Sequence, residues 1–218
     1  MEETFSAPRP PDAIAPKRPR LTARDLVFAA ANGAIFGLLL PIVLKNLSLG
    51  IEISNIVYVL FFSIFAVIGI LIGYVLSAFA RFFFQLAKFG AVGATNTAID
   101  FGIFNLFILL TGITGGWFFV AFKTISFVIA VTNSYLWNKF WSFGKKSTDH
   151  IEKEFIQFLM ISAIGILLNV AIASFVNNII GPLASATPER WANVAAAIAS
   201  ILVLGWNFFG YKFIVFKK

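Results

Sequence analysis

Long apolar stretches recur six times along the chain, at about 26–47, 55–80, 88–111, 117–138, 155–180 and 191–214, with short polar or basic connections between them. A helix needs about 20 apolar residues to cross roughly 30 Å of hydrocarbon, and each stretch meets that length. Only helices and closed barrels satisfy a backbone in lipid. The runs are too long and too continuous for barrel strands of about 10 alternating residues. The pattern therefore predicts an all-α integral membrane protein with six transmembrane helices. Residues 1–24 have no apolar period; Pro8, Pro10, Pro11, Pro16 and Pro19 stand there among basic residues, which predicts a disordered cytoplasmic tail. The first apolar run is too long for a signal peptide and lacks a good cleavage site, so it is read as a retained span.

Composition sharpens this picture. Hydrophobic residues make up 59% of the 218 positions and charged residues 12%, against about 45–50% and 25% in a typical soluble domain. Mean hydropathy is +0.88. These values exclude an ordinary water-soluble enzyme, a disordered regulator and a secreted disulfide scaffold. Cysteine is absent and His150 is the single histidine, so thiolate and multi-histidine metal chemistry are excluded and no cofactor is expected. A net charge of +7 raises the question of nucleic acid, but membrane topology already explains where the basic residues fall. Arg9, Lys17, Arg18, Arg20 and Arg24 lie in the tail, Arg81 and Lys88 between the second and third spans, Lys139, Lys145, Lys146 and Lys153 after the fourth, and Lys212, Lys217 and Lys218 at the C-terminal end. The opposite side carries Lys45 and Arg190. Both termini are expected to be cytoplasmic, in a multi-pass protein of the cell membrane, with no nucleic-acid partner.

The last four spans form two similar halves. Gln85, Ala91 and Gly93 align with Gln157, Ala163 and Gly165 at an offset of 72; Lys139, Phe140 and Phe143 align with Lys212, Phe213 and Phe216 at an offset of 73. Each half holds two spans, so the two repeats are parallel and a candidate site lies between them. The expected organisation is a tail (1–24), an N-terminal transmembrane hairpin (25–81) and a four-helix domain (82–218). The hairpin carries Gly33-x-x-x-Gly37 and Gly69-x-x-x-Gly73. Such stripes let helix backbones approach closely, either to pack these helices within the chain or to form a homo-oligomer.

Over about 82–217 the sequence resembles the GtrA-like family of small membrane proteins. The matching features are Lys88-Phe89-Gly90-Ala91-Val92-Gly93 followed by Asn96-Thr97 and Asp100, then Ala121-Phe122-Lys123, the run Asn133 to Phe143 (NSYLWNKFWSF), and Phe158, Gly165, Asn169, Asn207, Lys212 and Phe216. The resemblance implies a role in cell-surface polysaccharide synthesis: moving polyprenyl-phosphate-linked sugars across the membrane, or assisting the membrane-associated glycosyltransferase that makes them. The N-terminal hairpin lies outside the family's usual four-span core, and Tyr211-Lys212 replaces its asparagine–basic pair in the second half.

Candidate chemistry sits on few residues. Asp100 lies about 12 residues into the third run, roughly 18 Å deep, where an ionised carboxylate costs about 2.5–3.5 kcal/mol on insertion scales. Gly93, Asn96 and Asp100 share one helix face. Lys123 lies roughly 9 Å below the opposite interface, within reach of Asp100 across a short hairpin, as an ion pair or as a contact for a migrating phosphate. Lys139 and Lys212, preceded by Asn138 and Tyr211, are expected at the level of a lipid phosphate, with Trp141 placed to stack on a sugar. The same residue types also anchor ordinary membrane interfaces. Asn133, Asn169 and Asn207 are expected to be buried amides, and Asn207 and Ser134, at equivalent repeat positions, to line one groove. His150 is read with Asp149, Glu152 and Glu154 in a solvated loop without a role. No catalytic constellation and no ATP-binding glycine loop is present. The expected function is translocation of a polyprenyl-phosphate monosaccharide, not enzymatic turnover; a non-transporting adaptor for a glycosyltransferase is the alternative, and a small cation exporter is a third reading that Asp100 permits.

Overall fold

A computed structural model of the chain describes residues 19–47, 53–182 and 188–217, with the side chains of residues 188–190 left aside. The expected tail thus falls outside the described residues over 1–18, as do 183–187 of the turn before the last span. Six helices follow one another: α1 (Ala23–Asn46), α2 (Asn55–Leu76), α3 (Phe82–Thr111), α4 (Gly116–Trp137), α5 (Ile151–Phe175) and α6 (Pro188–Gly210). All six are long and apolar enough to span a membrane, so the protein is multi-pass and, among the described residues, all-helical.

Helix ends depart from the apolar runs where hydrogen bonding, not hydropathy, sets the limit. Ala23 and Arg24, expected in the tail, are already helical, because Thr22 caps α1 with its Oγ1 accepting from the Asp25 amide while Asp25 Oδ2 accepts from the Thr22 amide. Helix α3 starts at Phe82 and α5 at Ile151. Glu152 and Glu154 fall in the first turn of α5, where carboxylates suit the helix dipole. Helices α4, α5 and α6 each continue into one π-helical turn, Asn138–Ser142, Val176–Ile180 and Tyr211–Val215. In the first and third of these the amides of Phe143 and Phe216 donate to the carbonyls of Asn138 and Tyr211, five residues back.

Helices α1, α2 and α3 pack mutually, α3 packs on α4, and α5 packs on α6. Close approach explains the first group. A β-carbon at Gly33 would overlap the backbone of Phe62 and Ser63, and one at Gly37 the backbone of Tyr58 and Val59. Gly73 abuts Ala87 of α3, and Gly102 abuts Leu39 of α1. Three of the four stripe glycines therefore pack helices within the chain. Gly69 is the exception: nothing lies within 4 Å of its would-be β-carbon, and with Phe65, Ala66 and Gly90 it borders an apolar cavity of about 270 Å³.

The α5–α6 hairpin meets the rest of the bundle mainly at the end where α1 begins and α6 finishes. There Phe89, Tyr135, Phe143, Phe158, Phe208, Tyr211 and Phe216 form one aromatic cluster drawn from α3, α4, α5, α6 and the π-helical turns. Phe158 stacks on Tyr211 with centroids 4.3 Å apart, and Phe143 stacks on Phe216 at 5.3 Å. The wide turns bring the last two rings face to face. Gly33→Leu is expected to lower the thermal midpoint of the detergent-solubilised protein by separating α1 from α2. Gly69→Ala should leave the midpoint unchanged or raise it, since alanine gains about 1 kcal/mol of helix propensity over glycine and meets no neighbour.

Candidate functional site

Beyond the aromatic cluster the helices diverge and leave a cleft of about 350 Å³ between α3, α4, α5 and α6. Phe89, Phe158 and Tyr211 belong to both the cluster and the lining, so the rings close one end of it. The face of α3 carrying Gly93, Asn96 and Asp100 forms one wall. Ser134 and Asn138 contribute from α4 and its π-helical turn, Ser162 from α5 and Asn207 from α6. Space is set by two glycines. Nothing lies within 4 Å of a β-carbon at Gly93, so the cleft is open there, whereas one at Gly165 would meet Asn207 Oδ1 at 2.7 Å. Gly165 thus makes room for the Asn207 side chain.

Hydrogen bonding in the cleft is incomplete. The side-chain oxygens of Asn96, Asn138 and Asn207 are buried without a partner. Asn138 Nδ2 donates to Ser134 Oγ at 3.3 Å. Ser162 Oγ donates to the Phe158 carbonyl at 2.8 Å, so in its 2.6 Å contact with Tyr211 the phenol is the donor and its oxygen keeps a free lone pair. A buried acceptor left unmade costs about 1–3 kcal/mol. Three such acceptors around one space mark a place that water or a ligand completes.

Asp100 stands at the edge of this space with both oxygens engaged. Oδ2 pairs with Lys123 Nζ at 2.5 Å and Oδ1 accepts from Ser126 Oγ at 2.7 Å. The short turn at Gly112, in the left-handed region at φ 70°, returns the chain so that α4 runs back along α3. Lys123 itself is not in the lining; it is half-exposed, with Nζ 5.1 Å from the ring centroid of Phe101.

The other sequence candidates are placed differently. Lys139 is 0% exposed and pairs with Glu154 Oε2 at 2.6 Å, while Lys145 pairs with Glu154 Oε1 at 2.7 Å. Tyr135 adds its hydroxyl to the same carboxylate at 3.2 Å. Glu154, read from the sequence as part of a solvated loop, is therefore corrected to a buried counter-ion: α5 begins at Ile151, and its first turn points Glu154 inward. Trp141 is buried against Phe28 and Trp137, and its Nε1 donates to Asp25 Oδ1 at 3.1 Å. Asp25 also pairs with Lys88 at 2.5 Å, joining α1 to α3. Lys212 lies partly exposed beside the rings of Phe208 and Phe213 and has no carboxylate partner among the described residues. Asn133 and Asn169 do not line the cleft, although Asn133 Nδ2 is also buried and unpartnered. Sequence reasoning missed Ser162 and Ser126, single hydroxyls in apolar runs that give no signal. It also missed Asp25, which the Thr22-x-x-Asp25 capping pattern marks as a helix start. Among the described residues no group of three or more His, Cys, Asp or Glu side chains could hold a metal ion.

Residues 88–216 match the family described as GtrA/DPMS, transmembrane domain. The chain is also similar to an uncharacterized membrane protein, YngA, of Bacillus subtilis (strain 168), with 38% identity over 78 residues that cover 35% of this chain and 48% of the relative. The match thus spans about half the length of that relative. No solved structure matches the chain.

Removing one partner of a buried pair leaves a charge uncompensated and costs about 3–5 kcal/mol. Glu154→Gln is expected to destabilise the protein by about that much, because Lys139 then has no counter-ion. Adding Lys139→Met to Glu154→Gln should recover most of the loss, as read by denaturant unfolding in mixed micelles.

Proposed function

The chain belongs to the GtrA/DPMS transmembrane-domain family, and from that premise we propose that it translocates a polyprenyl-phosphate-linked monosaccharide across the cell membrane. The observation that carries this reading is the cleft: a polar space within a membrane-spanning bundle, bordered by three unpartnered amide oxygens and an internally neutralised ion pair. The obstacle to sugar crossing is desolvation. Each hydroxyl transferred from water to hydrocarbon without a hydrogen bond costs about 4–8 kcal/mol, and a monosaccharide carries several. The amides of Asn96, Asn138 and Asn207 and the Tyr211 oxygen replace part of that lost hydration, while the prenyl tail remains in lipid. Lys212, next to Tyr211 and without a carboxylate partner among the described residues, is the cation placed to meet the phosphate. Lys123 is held by Asp100 and Lys139 by Glu154.

The same reading takes residues 82–218 as two parallel two-helix repeats that meet at the cleft. It is supported by the π-helical turns at Asn138–Ser142 and Tyr211–Val215, which fall at the sequence offset of 73. It takes residues 25–81 as an added hairpin and both termini as cytoplasmic, which the distribution of basic residues supports. A membrane-associated glycosyltransferase supplies the lipid-linked sugar, and the chain performs no bond chemistry of its own.

The test is reconstitution of the full chain in liposomes with a labelled polyprenyl-phosphate sugar. Acceleration of its change of sidedness is expected. Gly93→Leu fills open space and should reduce the rate at least tenfold while preserving the folded, monodisperse protein. No acceleration by the wild-type chain, with retained binding of a glycosyltransferase, would overturn transport in favour of an adaptor.

A further inference from the structure

The cleft contains more information than the need for a sugar, because its lining has a definite charge character. Among the described residues no lysine or arginine lines it. Its one ionisable acid, Asp100, presents a carboxylate whose compensating ammonium, Lys123, approaches from outside the lining. The remaining polar atoms carry no charge: the oxygens of Asn96, Asn138 and Asn207, all buried and unpartnered, the hydroxyls of Ser134 and Ser162, and the Tyr211 oxygen left free once its proton goes to Ser162. Rotating an amide exchanges its oxygen for its NH₂ group, but it adds no charge. An anionic group entering this space would lose its hydration and meet no unpaired cation, because the Lys123 ammonium is already taken by Asp100.

Resting on the transport reading above, we propose that the cleft selects an uncharged, hydroxyl-bearing glycosyl unit and rejects one that carries a carboxylate. Hydroxyl groups supply the protons that the amide oxygens lack. The lipid phosphate, anionic itself, stays outside the cleft for the same reason, at the level of Lys212. The selection rests on desolvation: a charge taken out of water into a low-dielectric site is costly, and no unpaired counter-ion among the described lining residues offsets it.

Two probes that share one prenyl phosphate and differ at one carbon test this directly: polyprenyl-phosphate glucose and polyprenyl-phosphate glucuronic acid. Binding of each to the full chain in nanodiscs is measured by competition against a labelled neutral lipid. The expected result is at least tenfold weaker binding of the glucuronic acid lipid at neutral pH, with the gap closing when Asn96→Lys places a cation in the wall. Equal affinity for the two lipids in the wild-type protein would overturn the selectivity and leave the transport reading intact. Failure of both lipids to bind would overturn the transport reading and this inference with it.

Discussion

A bilayer interior has no water to complete a hydrogen bond or screen a charge, so every polar group carried into it must find its partner within the protein. The arrangement of this chain follows from that constraint. Three of its carboxylates each hold a compact polar set: Asp25 with Lys88 and Trp141, Glu154 with Lys139 and Lys145, and Asp100 with Lys123 and Ser126. Each set also ties together segments distant in sequence. Asp25 fixes α1 to α3 and to the turn after α4, Glu154 fixes α5 to the same turn, and Asp100 fixes α3 to α4.

The bundle is consequently tight at one end and open beyond it. Stacked rings and the Glu154 set lie where α5 and α6 meet α3 and α4. Past the rings, Gly93 contributes no side chain and the helices separate. Among the described residues, three of the six buried side-chain polar atoms without partners, on Asn96, Asn138 and Asn207, lie there. A closed bundle of the same composition would have paired those amides across helices, as buried amides in membranes usually are. Their unpaired state on a shared space is the feature that the proposed passage accounts for.

The two proposed halves surround equivalent residues differently. Lys139 is sealed against Glu154, while its counterpart Lys212 rests on aromatic rings. Gly165 accommodates Asn207, while Gly93 faces open space with the smaller Ser134 on the neighbouring wall. The α1–α2 hairpin lies outside the matched residues 88–216 except for its attachment through Lys88. Closed between α1 and α2 at Gly33 and Gly37 and packed on α3 at Gly73 and Gly102, it buttresses the helix that carries Asn96 and Asp100.

The sequence alone determined the six spans and the glycine stripes, because hydropathy and residue size act locally and additively along a helix. It also placed Asp100 and Lys123 at compatible depths, since depth is residue count times rise. Asn207 and Ser134 were legible as one groove through the repeat. What only the tertiary structure decided is which charges are sealed and which groups face the cleft. Lys139 and Lys212 look alike in the sequence, and Glu154 looks like a loop residue. Their fates depend on helix rotation, on where α5 begins and on the wide turns that close α4 and α6. Those are properties of helices packed in three dimensions, where one residue of phase turns a side chain from lipid or loop to the interior, and no local sum of hydropathy contains that phase.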